Sequence, residues 1–234
     1  MPTPIVFLHG FAGTASHWSG VIECLPPERF EPIALDIAAA EPLTPDGVAE
    51  LVAASTAETF ALVGYSMGGR LALHAALAMP ERISRLVLVS TSAGISDPHE
   101  RAARQAADDA LAESIEQSSI DSFIERWAAT PLFARDPEWV TEAVAADERR
   151  CDTAALAACL RTLGQGAMEP MWGRLGELTM PTAILAGERD GVYVAAAERL
   201  AGAIRGSRLV LVRGAGHRIA LEAPVAVAGA LGGL

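Results

Sequence analysis

The run Leu62, Val63, Gly64, Tyr65, Ser66, Met67, Gly68, Gly69, Arg70 constrains this chain more than any other. An apolar stretch leads into G-x-S-x-G, and a helix-forming stretch from Leu71 to Met79 follows. That is the strand–turn–helix context of a nucleophile elbow. The turn is sharp, so the residues flanking Ser66 must lack bulk. Gly64 and Gly68 meet that need, because glycine tolerates both strained dihedrals and close backbone approach. Such an elbow lifts the serine hydroxyl above a sheet and aims the N-terminus of the next helix at it.

The rest of the chain fits a sheet of that kind. Apolar runs alternate with helical patterns, which predicts a mainly parallel sheet with crossover helices. Strands are expected at Ile5–Leu8, Ile33–Leu35, Phe60–Val63, Leu86–Val89, Thr182–Ala186 and Leu209–Val212. They read as near-continuous apolar runs, as strands covered on both faces should. Helices are expected at Trp18–Cys24, Gly47–Thr56, Gly69–Met79, Val194–Ala203 and Pro224–Leu231. Between Ser90 and Thr179 no strand is evident. That stretch reads as helices near His99–Gln117, Ile120–Ala129, Glu138–Glu148 and Thr153–Leu163, with Asp152 as an N-cap and Pro131, Pro137 and Pro170 at breaks. The organisation predicted is a core formed by residues 1–91 and 177–234, with a helical cap at 92–176.

Composition narrows the class. A chain of 234 residues, half of them apolar, can bury a sizeable core as one domain with an insertion. Its net charge of −11 argues against a general nucleic-acid binder. All 18 of its basic Lys+Arg residues are arginine, which compositional bias explains. Cys24, Cys151 and Cys159 are odd in number and lack C-x-x-C spacing, so neither a disulfide framework nor a zinc site is expected. Cys151 lacks a glycine elbow and is a poor candidate nucleophile. No charged-then-apolar leader and no membrane-length apolar run are visible, which predicts a soluble, cytoplasmic protein without a membrane partner.

A serine hydroxyl needs a histidine to take its proton and a carboxylate to orient that histidine. With an elbow of this type the carboxylate and then the histidine follow in chain order. Asp190 lies in the loop after the strand Thr182–Ala186, with Glu188 as a rival in the same loop. His217 ends a glycine-rich loop after the strand Leu209–Val212, a setting that none of the other four histidines shares. His9 reads as a turn-ordering residue, His74 as packed or surface-exposed, and His17 and His99 as loop or helix-start residues. An oxyanion hole requires preorganised backbone N–H groups. Met67, after the serine, is one expected donor, and Phe11, in the loop after the first strand, is the other.

Taken together, these motifs resemble the α/β-hydrolase superfamily across nearly the whole chain, in a compact six-stranded form that lacks the superfamily's usual first two strands. Within it, V-F-L-H-G-F-x-G with His17-Trp18, L-V-G-Y-S-M-G-G-R, E-R-A-A-R-Q, A-G-E-R-D and G-A-G-H resemble the 2-succinyl-6-hydroxy-2,4-cyclohexadiene-1-carboxylate synthase family of menaquinone biosynthesis. The resemblance implies a lyase that eliminates pyruvate from an enolpyruvyl-bearing cyclohexene carboxylate. It implies that the Ser66, His217 and Asp190 group serves as base, with no metal or organic cofactor. It also implies substrate contacts at Arg70, Arg104 and Arg149, with Arg150 adjacent and the register open, and pocket walls at Tyr65 and Trp127. Arginine suits carboxylates through its planar donor fork. The expected partner is therefore a small carboxylate-bearing substrate, and the expected assembly a monomer or small homo-oligomer. One departure stands out. Where superfamily members often carry D-x-P-G-x-G-x-S, this chain has Asp36, Ile37, Ala38, Ala39, Ala40, Glu41, Pro42. Two alternatives remain open: a small carboxylesterase or carbon–carbon hydrolase working through an acyl-enzyme, and a non-catalytic binding module.

Overall fold

The computed structural model describes residues 2–232. Six strands, β1 (Thr3–Leu8), β2 (Phe30–Leu35), β3 (Phe60–Tyr65), β4 (Ile83–Val89), β5 (Thr182–Gly187) and β6 (Arg208–Val212), form one sheet in the order β2-β1-β3-β4-β5-β6. Every neighbouring pair is parallel. Each expected strand is present, extended by one to three residues.

Apart from exposed Thr3 and Ser84 and half-buried Arg85 near their starts, the four inner strands are buried on both faces, as parallel strands under helices must be. The edge strands depart from that expectation. β2 carries exposed Glu31 and Pro32, and β6 exposes Arg208 and Leu211. An edge tolerates Pro32, because proline's missing N–H then costs no central ladder bond.

Alternation along the strands divides the core between two faces. Val6, Leu8, Leu62, Leu86 and Leu88 pack on one side under α2 (Pro45–Ala54; α1, Ser19–Glu23, precedes it) and α3 (Met67–Ala78). Ile5, Phe7, Val63, Val87 and Val89 pack on the other, together with Trp18. The helix expected at Trp18–Cys24 begins as a 3-10 turn at Ala15–Trp18, capped by Thr14, before α1 takes over.

Between β4 and β5 run four helices: α4 (Pro98–Glu116), α5 (Ile120–Ala128), α6 (Glu138–Glu148) and α7 (Thr153–Leu163). Asp97, Ser119 and Asp152 cap α4, α5 and α7 by accepting backbone N–H bonds. Residues of α4, α5 and α7 bury an apolar cluster of their own around Ile115, Phe123 and Leu160, and Ala12 from the loop after β1 joins it. The chain closes with α8 (Gly191–Ala203), α9 (Ile219–Glu222) and α10 (Pro224–Gly232).

Candidate active site

Ser66 occupies the hinge between β3 and α3, with φ 53° and ψ −111°. A non-glycine residue in that region is strained and persists only where its surroundings over-determine it. Here they do. The Ser66 N–H donates to Val89 O at 2.9 Å, and its carbonyl accepts from Gly69 N, Arg70 N and the Thr91 hydroxyl. Gly64 and Gly68 serve by close approach alone, since neither has a positive φ. A Cβ on Gly64 would lie 2.3 Å from Gly68 O, and one on Gly68 would lie 2.3 Å from Leu8 O.

The loops after β5 and β6 bring two more residues to the elbow. His217 Nε2 lies 3.2 Å from Ser66 Oγ, and His217 Nδ1 lies 2.6 Å from Asp190 Oδ2. A carboxylate only accepts, so Nδ1 carries the proton and Nε2 is left to accept from the serine hydroxyl. The other carboxylate oxygen of Asp190 accepts the Tyr193 N–H at 3.3 Å, which fixes Asp190 as the N-cap of α8. Glu188 sits outside this arrangement: its Oε2 accepts from Gly214 N at 3.1 Å at the surface. The rings of Tyr65, Phe133 and Tyr193 surround the His217 imidazole.

The other histidines have other work. His9 donates from Nδ1 to Gly10 O at 2.7 Å and accepts the Ile37 N–H on Nε2 at 3.0 Å. Burial lowers its pKa, which favours this neutral form. His9 thereby ties the loop carrying Phe11 to the Asp36–Pro42 segment. His74 pairs with Asp46 at 2.7 Å. Cys151 is half-buried, and burial pushes its thiol up to about 12, which leaves little thiolate at neutral pH.

A cavity of about 700 Å³ opens over Ser66 and His217, between the sheet and the helical segment. Phe11 and Met67 line it beside Ser66, and among the described residues neither backbone N–H has a hydrogen-bond partner. Ala12, next to Phe11, has φ 60°, a second strained position at this site. Tyr65 and Trp127 line this cavity and also a smaller one of about 300 Å³. Burial raises the pKa of the Tyr65 phenol, and its ring stacks on the His17 ring at 4.7 Å.

The arginines divide sharply. Arg70 lines the main cavity and is 5% exposed. Among the described residues its one bond is a long contact of 3.4 Å from Nη2 to Leu163 O, and its Nε has no partner. Burial lowers the Arg70 pKa, but an arginine remains charged. Arg104 also lines the cavity, donating to Asp108 at 2.8 Å and to Gln165 at 3.1 Å. Arg149 departs from expectation. It pairs with Asp121 at 2.9 Å on the surface and borders neither cavity. As the C-cap of α6 it takes its direction from that helix end, which motif matching does not reveal. Arg150 instead reaches the smaller cavity, donating to Ser16 Oγ at 2.7 Å.

A buried polar cluster beside the site escapes sequence reasoning. Arg218 lies 3.2 Å from Asp136 and 3.8 Å from Glu148, with its guanidinium over the Phe133 ring. Asp147 accepts from Thr14 N, Thr14 Oγ1 and Ser16 Oγ, which pins the loop after β1 to α6. Burial pushes His17 down to about 3, so its ring is neutral. Only the position of Arg218, directly after His217, was a local signal for any of this.

A fully parallel six-stranded sheet, carrying a strained serine at a strand–helix elbow with a buried histidine and aspartate after later strands, defines an α/β-hydrolase-type protein. The model of the alpha/beta hydrolase family matches residues 5–230, and the chain belongs to that family. A Bacillus subtilis protein provisionally named 2-succinyl-6-hydroxy-2,4-cyclohexadiene-1-carboxylate synthase is 31% identical over 94% of this chain and 85% of its own length. The Klebsiella pneumoniae protein of that name is 29% identical over 95% of this chain and 90% of its own. The solved structure of MenH from S. aureus superposes with a TM-score of 0.90 at 29% identity, covering 98% of this chain and 93% of that one. Among the described residues no group of His, Cys, Asp and Glu is placed to hold a metal, and no helix is long and apolar enough to cross a membrane.

Proposed function

We propose that this chain is a cytoplasmic lyase that eliminates pyruvate from a 2-succinyl-5-enolpyruvyl-6-hydroxy-3-cyclohexene-1-carboxylate-type substrate. The observation that carries the reading is Arg70. A buried guanidinium with spare donors, one turn from Ser66, has no use in hydrolysing a neutral ester. It suits a carboxylate beside the reacting carbon. The names of the relatives point to the same substrate class.

In this account Asp190 holds His217 in the tautomer that accepts the Ser66 proton. The serine oxygen takes the proton from the ring carbon bearing the succinyl group. Those electrons form a new ring double bond, the existing double bond shifts one place, and the carbon–oxygen bond to the enolpyruvyl group breaks. The proton held by His217 returns to the departing pyruvate enolate. The Phe11 and Met67 N–H groups hold the negative charge that develops on the substrate enolate. Arg70 and Arg104 dock carboxylates, Tyr65 and Trp127 wall the pocket, and residues 92–176 act as the cap.

Arg70→Ala tests the reading. Pyruvate release should fall at least about a hundredfold, as loss of a buried charged contact predicts. Unchanged release would remove the docking argument. A second reading rests on the 3.2 Å approach of Ser66 Oγ to His217 Nε2, which equally suits acylation of the serine by a small carboxylated ester or a carbon–carbon bond substrate. A covalent serine adduct would favour it.

A further inference from the structure

Four arginines line the main cavity: Arg70, Arg104, Arg135 and Arg189. Two have fixed engagements, and a third is buried. Arg70 is the buried one, with a single long contact to Leu163 O and an Nε that has no partner among the described residues. Arg104 is neutralised by Asp108 and also bonds Gln165. Arg189 spends its donors on Glu222, Gly214 O and Arg135 O. The exposed Arg135 side chain has no hydrogen bond or ion pair among the described residues.

Its backbone is nevertheless held on both sides. Arg189 Nη1 donates to Arg135 O at 2.8 Å. The next residue, Asp136, lies 3.2 Å from buried Arg218 and donates its N–H to Phe133 O at 2.9 Å. Phe133 is itself buried between Trp127 and His217. The loop between α5 and α6 therefore presents Arg135 from a fixed base at the cavity rim. With the backbone pinned, a ligand has only the side chain's own rotamers left to order.

We propose that Arg135 is a specificity-determining residue, docking the terminal carboxylate of the substrate's succinyl arm at the cavity rim. This rests on the substrate class proposed above, which carries three carboxylates: one on the ring, one on the enolpyruvyl group and one at the end of the flexible arm. Arg70 lies deep, beside Ser66, and suits a carboxylate near the reacting carbon. Arg104 brings a charge already balanced by Asp108. With Arg149 turned away to Asp121, Arg135 is the exposed cation at the cavity without a side-chain partner among the described residues, and its position suits the end of an arm. Guanidinium and carboxylate pair through two parallel hydrogen bonds, which a solvated lysine does not reproduce.

The test is calorimetric binding of the enolpyruvyl cyclohexene substrate to the Ser66→Ala protein, which holds the ligand without turning it over. Arg135→Gln in that background should raise Kd about tenfold, as for loss of one charge-assisted contact, and flatten its dependence on salt. Arg149→Gln should leave Kd within about twofold, since an exposed ion pair contributes little. If Ser66→Ala binds the substrate and Arg135→Gln binds it equally well, Arg135 is a solvated surface charge and the dock is wrong, while the proposed function stands. If Ser66→Ala binds no substrate at all, the proposed function and the dock fall together.

Discussion

His217 Nδ1 lies 2.6 Å from Asp190 Oδ2, and both side chains are almost wholly buried. The pair joins the loop after β6 to the N-cap of α8, so one carboxylate orients the imidazole and caps a helix. Asp190→Asn keeps a side-chain oxygen for the Tyr193 N–H but offers an amide to Nδ1. The imidazole then turns to the wrong tautomer, with Nε2–H facing Ser66. Turnover should fall about a thousandfold or more, as loss of the orienting acid does in comparable sites. Steady-state kinetics beside a thermal melt would check this: the melt should move little. Full activity would mean that Asp190 is a helix cap and no more.

Local packing predicts different outcomes for two glycine substitutions, one at the elbow and one far from it. Gly68→Ala places a Cβ 2.3 Å from Leu8 O and 2.4 Å from His9 O, both backbone atoms of the β1 end. Neither can retreat without disturbing the sheet, so a loss of about 3 kcal/mol or failure to fold is expected. Gly202→Ala, in the last turn of α8, meets nothing within 4 Å. It should be neutral or add up to about 1 kcal/mol through helix propensity. Urea midpoints of the two variants decide the matter.

Asp147 ties α6 to the loop that carries Phe11. Its carboxylate accepts both hydroxyls and the Thr14 N–H, and these bonds hold its pKa down against the opposing cost of burial. Asp147→Ala frees that loop and with it the Phe11 N–H. Because a loosened donor matters most when charge develops, kcat should fall about tenfold with a smaller change in KM. A pure KM effect would instead place Asp147 among residues that shape the pocket.

Glu148 makes stability depend on pH. Burial raises its carboxyl from 4.5 to about 7, the Arg218 guanidinium opposes this, Asp147 adds to it and Arg149 opposes it. The folded state thus holds a proton that the unfolded state has already lost between those values. Stability from this group is fully present below about 4.5 and declines as pH rises toward about 7. Glu148→Gln should flatten that part of the profile. Equal slopes for wild type and variant in chemical denaturation at stepped pH would contradict it.

Much of this was legible in the sequence, for a physical reason. Buried parallel strands need unbroken apolar runs, and Phe60–Tyr65 and Thr182–Gly187 supply them, so their positions can be read directly. Helices α6 and α7 begin and end where Pro137, Asp152 and the apolar spacing place them, because caps and breakers are local. Tertiary pairing is not local. Asp121 draws Arg149 away from the cavity, and Arg218 meets Asp136 and Glu148 from far along the chain. No spacing rule reports such partners. The elbow was recognised through Gly64 and Gly68, yet the backbone strain falls on Ser66 itself. The edges of the sheet were likewise invisible, since a run such as Leu209–Val212 does not say how many faces are covered.

The measurement that bears most directly on the central claim is pyruvate release from the enolpyruvyl cyclohexene substrate by wild type and by Ser66→Ala. The account predicts steady release by wild type and loss of at least about a thousandfold in the variant, since removing the serine leaves His217 without its proton relay. Undiminished release by Ser66→Ala, or no release by wild type beside Ser66-dependent hydrolysis of simple esters, would contradict it.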